Sequence, residues 1–176
     1  DDGTVGQAQA IAGGAAESIF QPVWSPDGDV VFVSDRSGWW NLYRHDLATG
    51  TAAAIAPRTA EFGQPQWVFG LSTYAFAGRD RIVCTFCEAG LWRLGVIELQ
   101  TGTLRPLDTP FTEIGSVRAD GDHVAFRAGA PRLPNAVVSL DLRSGAYRMV
   151  KKSTDLLDRA DLGIGDEQQD VTVRKL

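Results

Sequence analysis

The residues able to do chemistry are few and far apart. Cys84 and Cys87 form a lone C-x-x-C. On a strand, side chains alternate between faces, so residues three apart point opposite ways. Such a pair neither chelates together nor bridges. A structural zinc site takes about four ligands, yet no second C-x-x-C follows, and His45 and His123 are distant in sequence. The expectation is two core cysteines, with no metal and no cofactor. His45-Asp46 has the residue types of a base and its orienting acid, but adjacent strand residues also face opposite ways. His123 follows Asp120 and Asp122 in a turn, without the carboxylate spacing of a calcium loop. Gly-rich Ile11-Ala-Gly-Gly-Ala15 lacks the Lys-Ser/Thr of a phosphate-binding loop. Ser72 sits in Gly70-Leu-Ser-Thr-Tyr74, which lacks the second glycine of a G-x-S-x-G nucleophile elbow, and no such elbow occurs elsewhere. The expected catalytic set is therefore empty.

Binding is better represented. Trp39, Trp40 and Asn41 follow a glycine turn, and an exposed aromatic pair there could hold a peptide or a sugar. The competing reading packs at least one tryptophan between structural units. Further on, Glu61-Phe-Gly-Gln-Pro-Gln-Trp67-Val-Phe-Gly70 is rich in aromatics and glycine for a connector. Phe62, Trp67 and Phe69 are expected to tuck between neighbouring units. The alternative is that this stretch lines a central tunnel or a substrate-facing rim. Arg36 beside Asp35 reads as a local ion pair in a turn.

The elements that must position these residues are repeated. A Thr/Ser-Gly turn recurs as Leu47-Ala-Thr-Gly50, Leu99-Gln-Thr-Gly102 and Leu142-Arg-Ser-Gly145, with a headless copy at Asp2-Gly3-Thr4-Val5. The glycines at 3, 50, 102 and 145 are 47, 52 and 43 residues apart. A second turn recurs as Ser25-Pro-Asp-Gly28, Gly78-Arg-Asp80 and Ala119-Asp-Gly-Asp122. Between the turns lie short apolar runs such as Val30-Val-Phe-Val33 and Val124-Ala-Phe126, which read as strands. A period in the forties with all-strand content is the signature of β-propeller blades. The fold class expected is all-β, a partial β-propeller of about three four-stranded antiparallel blades plus one leading strand. The parse is 1–12 for that leading strand, 15–57, 58–108 and 109–152 for the blades, and 153–176 for an exit linker. Within the linker, Asp155 to Asp158 suits one helical turn and Val171 to Val173 a new strand. Propellers close with about 4 to 8 blades, so three imply a piece of a longer chain or an oligomer that completes the ring. Unmated blade edges would also permit self-association.

Composition narrows the partners. Hydrophobic residues make up 44% and charged residues 22%, so the chain can bury a core. A net charge of −5 without a basic cluster argues against nucleic acid and anionic membrane surfaces. No apolar run approaches the roughly 20 residues that span a bilayer. The missing disulfide framework suits a reducing compartment, the cytoplasm.

Three blocks in fixed order carry a family resemblance: Pro22-Val-Trp-Ser-Pro-Asp-Gly28, then Phe32-Val-Ser-Asp-Arg-Ser-Gly-Trp-Trp-Asn-Leu-Tyr-Arg44, then Glu61 to Gly70 with Tyr74-Ala-Phe76. Over about residues 15 to 152 the chain resembles the N-terminal propeller of the prolyl oligopeptidase family of serine peptidases. The nearest flavour is the dipeptidyl-aminopeptidase and acylaminoacyl-peptidase branch. SPDG alone is shared with TolB-like propellers. The resemblance implies a seven-bladed propeller over a C-terminal α/β-hydrolase domain that holds the catalytic Ser, Asp and His. None of these has a counterpart in this sequence. By this resemblance the chain corresponds to the last three blades and restricts access of short peptides to a hydrolase partner domain. In an aminopeptidase of this kind, Glu61 facing the cavity would pair with a peptide's free α-amine; the competing reading is a solvated or turn-capping acid. Trp39, Trp40 and Asn41 are the further substrate-facing candidates, read from their residue types, and the resemblance does not fix their role. A stand-alone TolB-like protein-binding scaffold is the alternative.

Overall fold

The structure is a computed structural model that describes residues 3, 4 and 6–154. It contains twelve strands: β1 (Ile19–Trp24), β2 (Val30–Ser34), β3 (Asn41–Asp46), β4 (Thr51–Ala54), β5 (Tyr74–Phe76), β6 (Arg81–Glu88), β7 (Leu91–Glu98), β8 (Thr103–Leu107), β9 (Glu113–Asp120), β10 (His123–Ala130), β11 (Leu133–Asp141) and β12 (Tyr147–Lys152). They form three four-stranded sheets, β1 to β4, β5 to β8 and β9 to β12, each a meander of antiparallel neighbours. These are the expected blades.

The repeat seen in sequence is a repeat of hydrogen bonds. In the three marker turns the glycine amide donates to a carbonyl four residues back: Gly50 to Asp46 at 2.9 Å, Gly102 to Glu98 at 2.8 Å and Gly145 to Asp141 at 2.8 Å. At Gly102 φ is +67°, and a Cβ would overlap the Ile55 carbonyl oxygen, so both conformation and space demand glycine.

Side-chain alternation stacks the blades. On β6, Ile82, Cys84 and Phe86 face the first blade and join Phe20, Val31, Val33 and Leu42 in one core. Val83, on the other face, joins Leu94, Val96, Ile114, Val117, Val124 and Phe126 in a second core shared with the third blade. The central blade is thus covered on both faces. The same alternation separates Cys84 from Cys87, and burial pushes the Cys84 thiol pKa up, which suppresses thiolate chemistry there. The third blade differs: on β10, Val124, Phe126 and Ala128 are buried while Ala125 and Arg127 are exposed.

The first strands of the sheets converge. Gln21 of β1 accepts a hydrogen bond from the Thr73 amide at 2.7 Å and donates one to the Tyr74 carbonyl at 2.8 Å. The Tyr74 hydroxyl lies 2.8 Å from the carbonyl oxygens of both Gln21 and Val31. Ser72, just ahead of β5, donates to the Val117 carbonyl of β9 at 2.8 Å. A glutamine side chain thus replaces ladder pairing where adjacent blades splay apart. Both inner strands kink beside these ties, at Gln21 (φ 48°) and Ser116 (φ 56°), where their pairing registers also shift.

Ahead of β1, Ile11 and Ala12 pack on Val30, Phe32 and Tyr43, on the outer face of the first blade. One expectation needs correction. Arg36 does not pair with Asp35. Its guanidinium meets Glu17 at 2.6 Å and lies over the Phe32 and Tyr43 rings, while Asp35 accepts the Ser18 amide at 2.8 Å. The Ser34 hydroxyl, together with Arg36, holds the Glu17 carboxyl below its ordinary pKa. Of the expected exit linker, residues 155–176, with the helical turn and new strand placed there, lie outside the described residues.

Candidate functional site

In a four-stranded meander the start of the first strand, the turn between the second and third, and the connector to the next blade share one end. Trp39, Trp40, Asn41 and Glu61 meet at that end, at the seam of the first two blades. The Glu61 backbone pairs with Cys87 at the end of β6, at 3.1 and 2.8 Å. Its carboxylate oxygen Oε2 accepts the Trp40 amide at 2.8 Å. Oε1 has no hydrogen-bond partner among the described residues. Asn41 is 2% exposed and clamps the chain at Arg58: its Oδ1 accepts the Arg58 amide at 2.8 Å, and its Nδ2 donates to the Arg58 carbonyl at 2.9 Å. Trp40 lies in the seam, edge-on to Phe20 at 6.4 Å. Its ring occupies the space beside Gly63, where a Cβ would come within 2.6 Å of it. Trp39 is partly exposed at 41%. So the four residues are brought together, but Trp40 and Asn41 serve the seam, and Glu61 commits one of its two oxygens to it.

The connector from β4 to β5 contains what the sequence reading missed. Phe62 is tucked between blades as expected, 1% exposed and stacked on Phe86 at 5.7 Å. Trp67 and Phe69 are not: they are 88% exposed and fully exposed. On both sides of them the connector is pinned. Gln64 donates to the Ile114 carbonyl at 3.4 Å and Gln66 to the Ile19 carbonyl at 3.1 Å. Arg118 of β9 donates to the Gly70 carbonyl at 3.3 Å and also contacts the Ser72 hydroxyl. The connector therefore reaches the inner strands of the first and third blades while leading into that of the second. Its tip, Trp67 to Phe69, stands out at the place where those strands converge. The available signal was the run Gln64-Pro-Gln66, whose two amides anchor the tip and leave it little apolar surface to fold onto.

Among the described residues no group of three or more His, Cys, Asp or Glu side chains is placed to hold a metal ion. His45 is buried and Asp46 turns away to accept the Ala48 and Thr49 amides at 2.8 and 3.1 Å. His123 lies 3.9 Å from Asp141 on the surface. A cavity of about 510 Å³ lies against β7, β8 and the connector that follows them, lined by Trp92, Arg93, Leu107, Asp108 and Phe111 among others.

Three stacked antiparallel four-stranded sheets define a partial β-propeller. Solved structures supply the particular likeness. A puromycin hydrolase matches at 33% identity and a TM-score of 0.82, over 91% of this chain and 24% of that one. A puromycin-hydrolyzing peptidase of Mycobacterium tuberculosis matches at 32% identity and a TM-score of 0.83, over 89% of this chain and 24% of that one. A structure described as one of two prolyl endopeptidases shares the fold at 17% identity, with a TM-score of 0.57 over 82% of this chain and 20% of that one. TolB from Acinetobacter baumannii shares it at 19% identity, with a TM-score of 0.61 over 78% of this chain and 33% of that one. No family model and no curated protein matches the chain. The likeness to a propeller segment of a prolyl oligopeptidase family peptidase, read from the three sequence blocks, is borne out. The chain spans about a quarter of the length of the first relatives, 24% in each.

Proposed function

We propose that this chain is the non-catalytic propeller segment of a serine peptidase acting on short peptides. The bond-breaking residues would lie in an α/β-hydrolase domain outside these 176 residues. One observation carries the reading: 33% identity over 91% of the chain to a puromycin hydrolase, in a sequence that holds no G-x-S-x-G elbow. In such a peptidase, acyl transfer runs through a covalent ester on an activated serine. The propeller contributes walls. It admits short or unfolded peptides and keeps folded proteins away from the triad. The parse into blades at 15–57, 58–108 and 109–152 with an exit linker at 153–176 belongs to this reading, as does a cytoplasmic location. No helix among the described residues is long and apolar enough to cross a membrane.

Glu61 is the anchoring acid in this proposal. With Oε2 held by the Trp40 amide, Oε1 is free to meet a peptide's α-ammonium, and Trp39 flanks it from the same turn. A charge-assisted hydrogen bond of this kind is about twice as strong as a neutral one.

The reading frame beyond Leu176 tests the proposal. A G-x-S-x-G segment downstream is expected, and in the full gene product its serine takes a fluorophosphonate label. A frame that closes soon after Leu176 supports the second reading, a TolB-like protein-binding propeller, which the likeness to TolB favours.

A further inference from the structure

The tip of the long connector is an exposed apolar group on a fixed base. Trp67 is 88% exposed, Val68 62%, and Phe69 fully so. The residues on either side are tied to the carbonyls of Ile19 and Ile114 and to Arg118. A contiguous exposed apolar patch rimmed by polar residues is often an interaction or ligand-binding site. A pinned base lowers the ordering cost of capturing a ligand.

Size indicates the occupant. A stable protein–protein interface buries about 800 Å² on each partner. Two aromatic rings and a valine, rimmed by polar Gln64 and Gln66, fall well short of that. They match a single large side chain lying against an aromatic face, a contact that gains beyond area burial when both partners are aromatic. Position points the same way. The tip stands where the inner strands converge, at the end of the molecule that also carries Glu61 and partly exposed Trp39.

We propose that Trp67, Val68 and Phe69 bind one bulky apolar side chain of a peptide, and so select the peptide class that this end of the propeller accepts. This rests on the peptide reading above and adds a residue preference to it. The interaction is non-covalent and independent of the α-amine, which separates it from the role given to Glu61.

The indole N–H signals of the five tryptophans, in nuclear magnetic resonance of the ¹⁵N-labelled chain, provide the readout. Trp67 is assigned through Trp67→Phe. Phe-Gly-Gly and N-acetyl-Phe-Gly-Gly are expected to shift the Trp67 signal saturably, and Gly-Gly-Gly is expected to leave it in place. The double variant Trp67→Ala, Phe69→Ala is expected to bind Phe-Gly-Gly at least about tenfold more weakly, equivalent to about 1.4 kcal/mol. Equal response to Phe-Gly-Gly and Gly-Gly-Gly overturns the proposal. So does an equal shift at exposed Trp24, which reports indiscriminate contact. A Trp67 shift that follows protein concentration without peptide, and is lost in Phe69→Ala, overturns it in favour of contact between two copies of the chain. The peptidase reading fails separately. A downstream frame without an elbow sinks that reading while a phenylalanine-selective shift stands, and a frame with an elbow but no selective shift sinks the tip alone.

Discussion

The two connectors between blades perform the same topological task with very different lengths. Residues 108–112 cross from β8 to β9 and do little else: Phe111 fills the seam against Phe126 and Tyr147, and Thr112 bridges Trp92 and Gly129 through backbone hydrogen bonds. Residues 55–73 cross from β4 to β5 and also reach the inner strands of the flanking blades. The short connector shows what a crossing requires. Against it, the extra length of the long one divides into an anchored majority and a bare tip. Length alone does not signal a loose loop here. Anchors on both flanks leave a small part of the connector available for contact with other molecules.

Two phenylalanines seven residues apart give the sharpest way to break this comparison. Phe62→Ala removes a fully buried ring and is expected to cost about 3–5 kcal/mol in chemical denaturation. A cost below 1 kcal/mol would mean that the connector's base is not part of the core. Gly63→Ala should follow at about 1–3 kcal/mol, because the new Cβ overlaps the Trp40 ring and forces repacking. Tyr74→Phe removes a hydroxyl shared between the Gln21 and Val31 carbonyls and is expected to cost about 0.5–1.5 kcal/mol.

A pH titration probes the other seam. Arg143 and Arg81 both meet Asp122 at 2.9 Å and hold its carboxyl below the ordinary pKa. Since the folded value lies under the unfolded one, this contribution is present above the ordinary carboxylate range and lost as pH falls through the depressed folded value. Acid unfolding of Asp122→Asn should therefore be less steep than that of the parent chain, and an unchanged slope would remove Asp122 from the linkage. Phe69→Ala should have the smallest effect, within about 0.5 kcal/mol. A large loss there would show that the tip packs against something after all.

These contrasts also show what the sequence could and could not reveal. The blades were legible because strand alternation and turn chemistry are local: the Val30 to Val33 run, the Thr/Ser-Gly turns and the SPDG equivalents bound the hairpins. The fate of the aromatics was not, because burial depends on neighbours far along the chain. Phe62 and Phe69 are each followed by glycine in the same connector, yet only Phe62 meets Phe86. Glu61 looked like a free acid because no local pattern shows that the Trp40 amide claims one of its oxygens. Arg36 illustrates the same point: Asp35 is adjacent in sequence, but Glu17 lies in front of the guanidinium.

The connector anchored to the inner strands of flanking blades has a mechanical consequence. A repeat array held only by neighbour contacts peels one unit at a time under tension. A brace running from the first unit to the third makes the load on any one of them a load on all. Pulled by its ends, this chain should yield in one step at higher force, and releasing the brace through Gln64→Ala with Gln66→Ala should split that step into smaller ones.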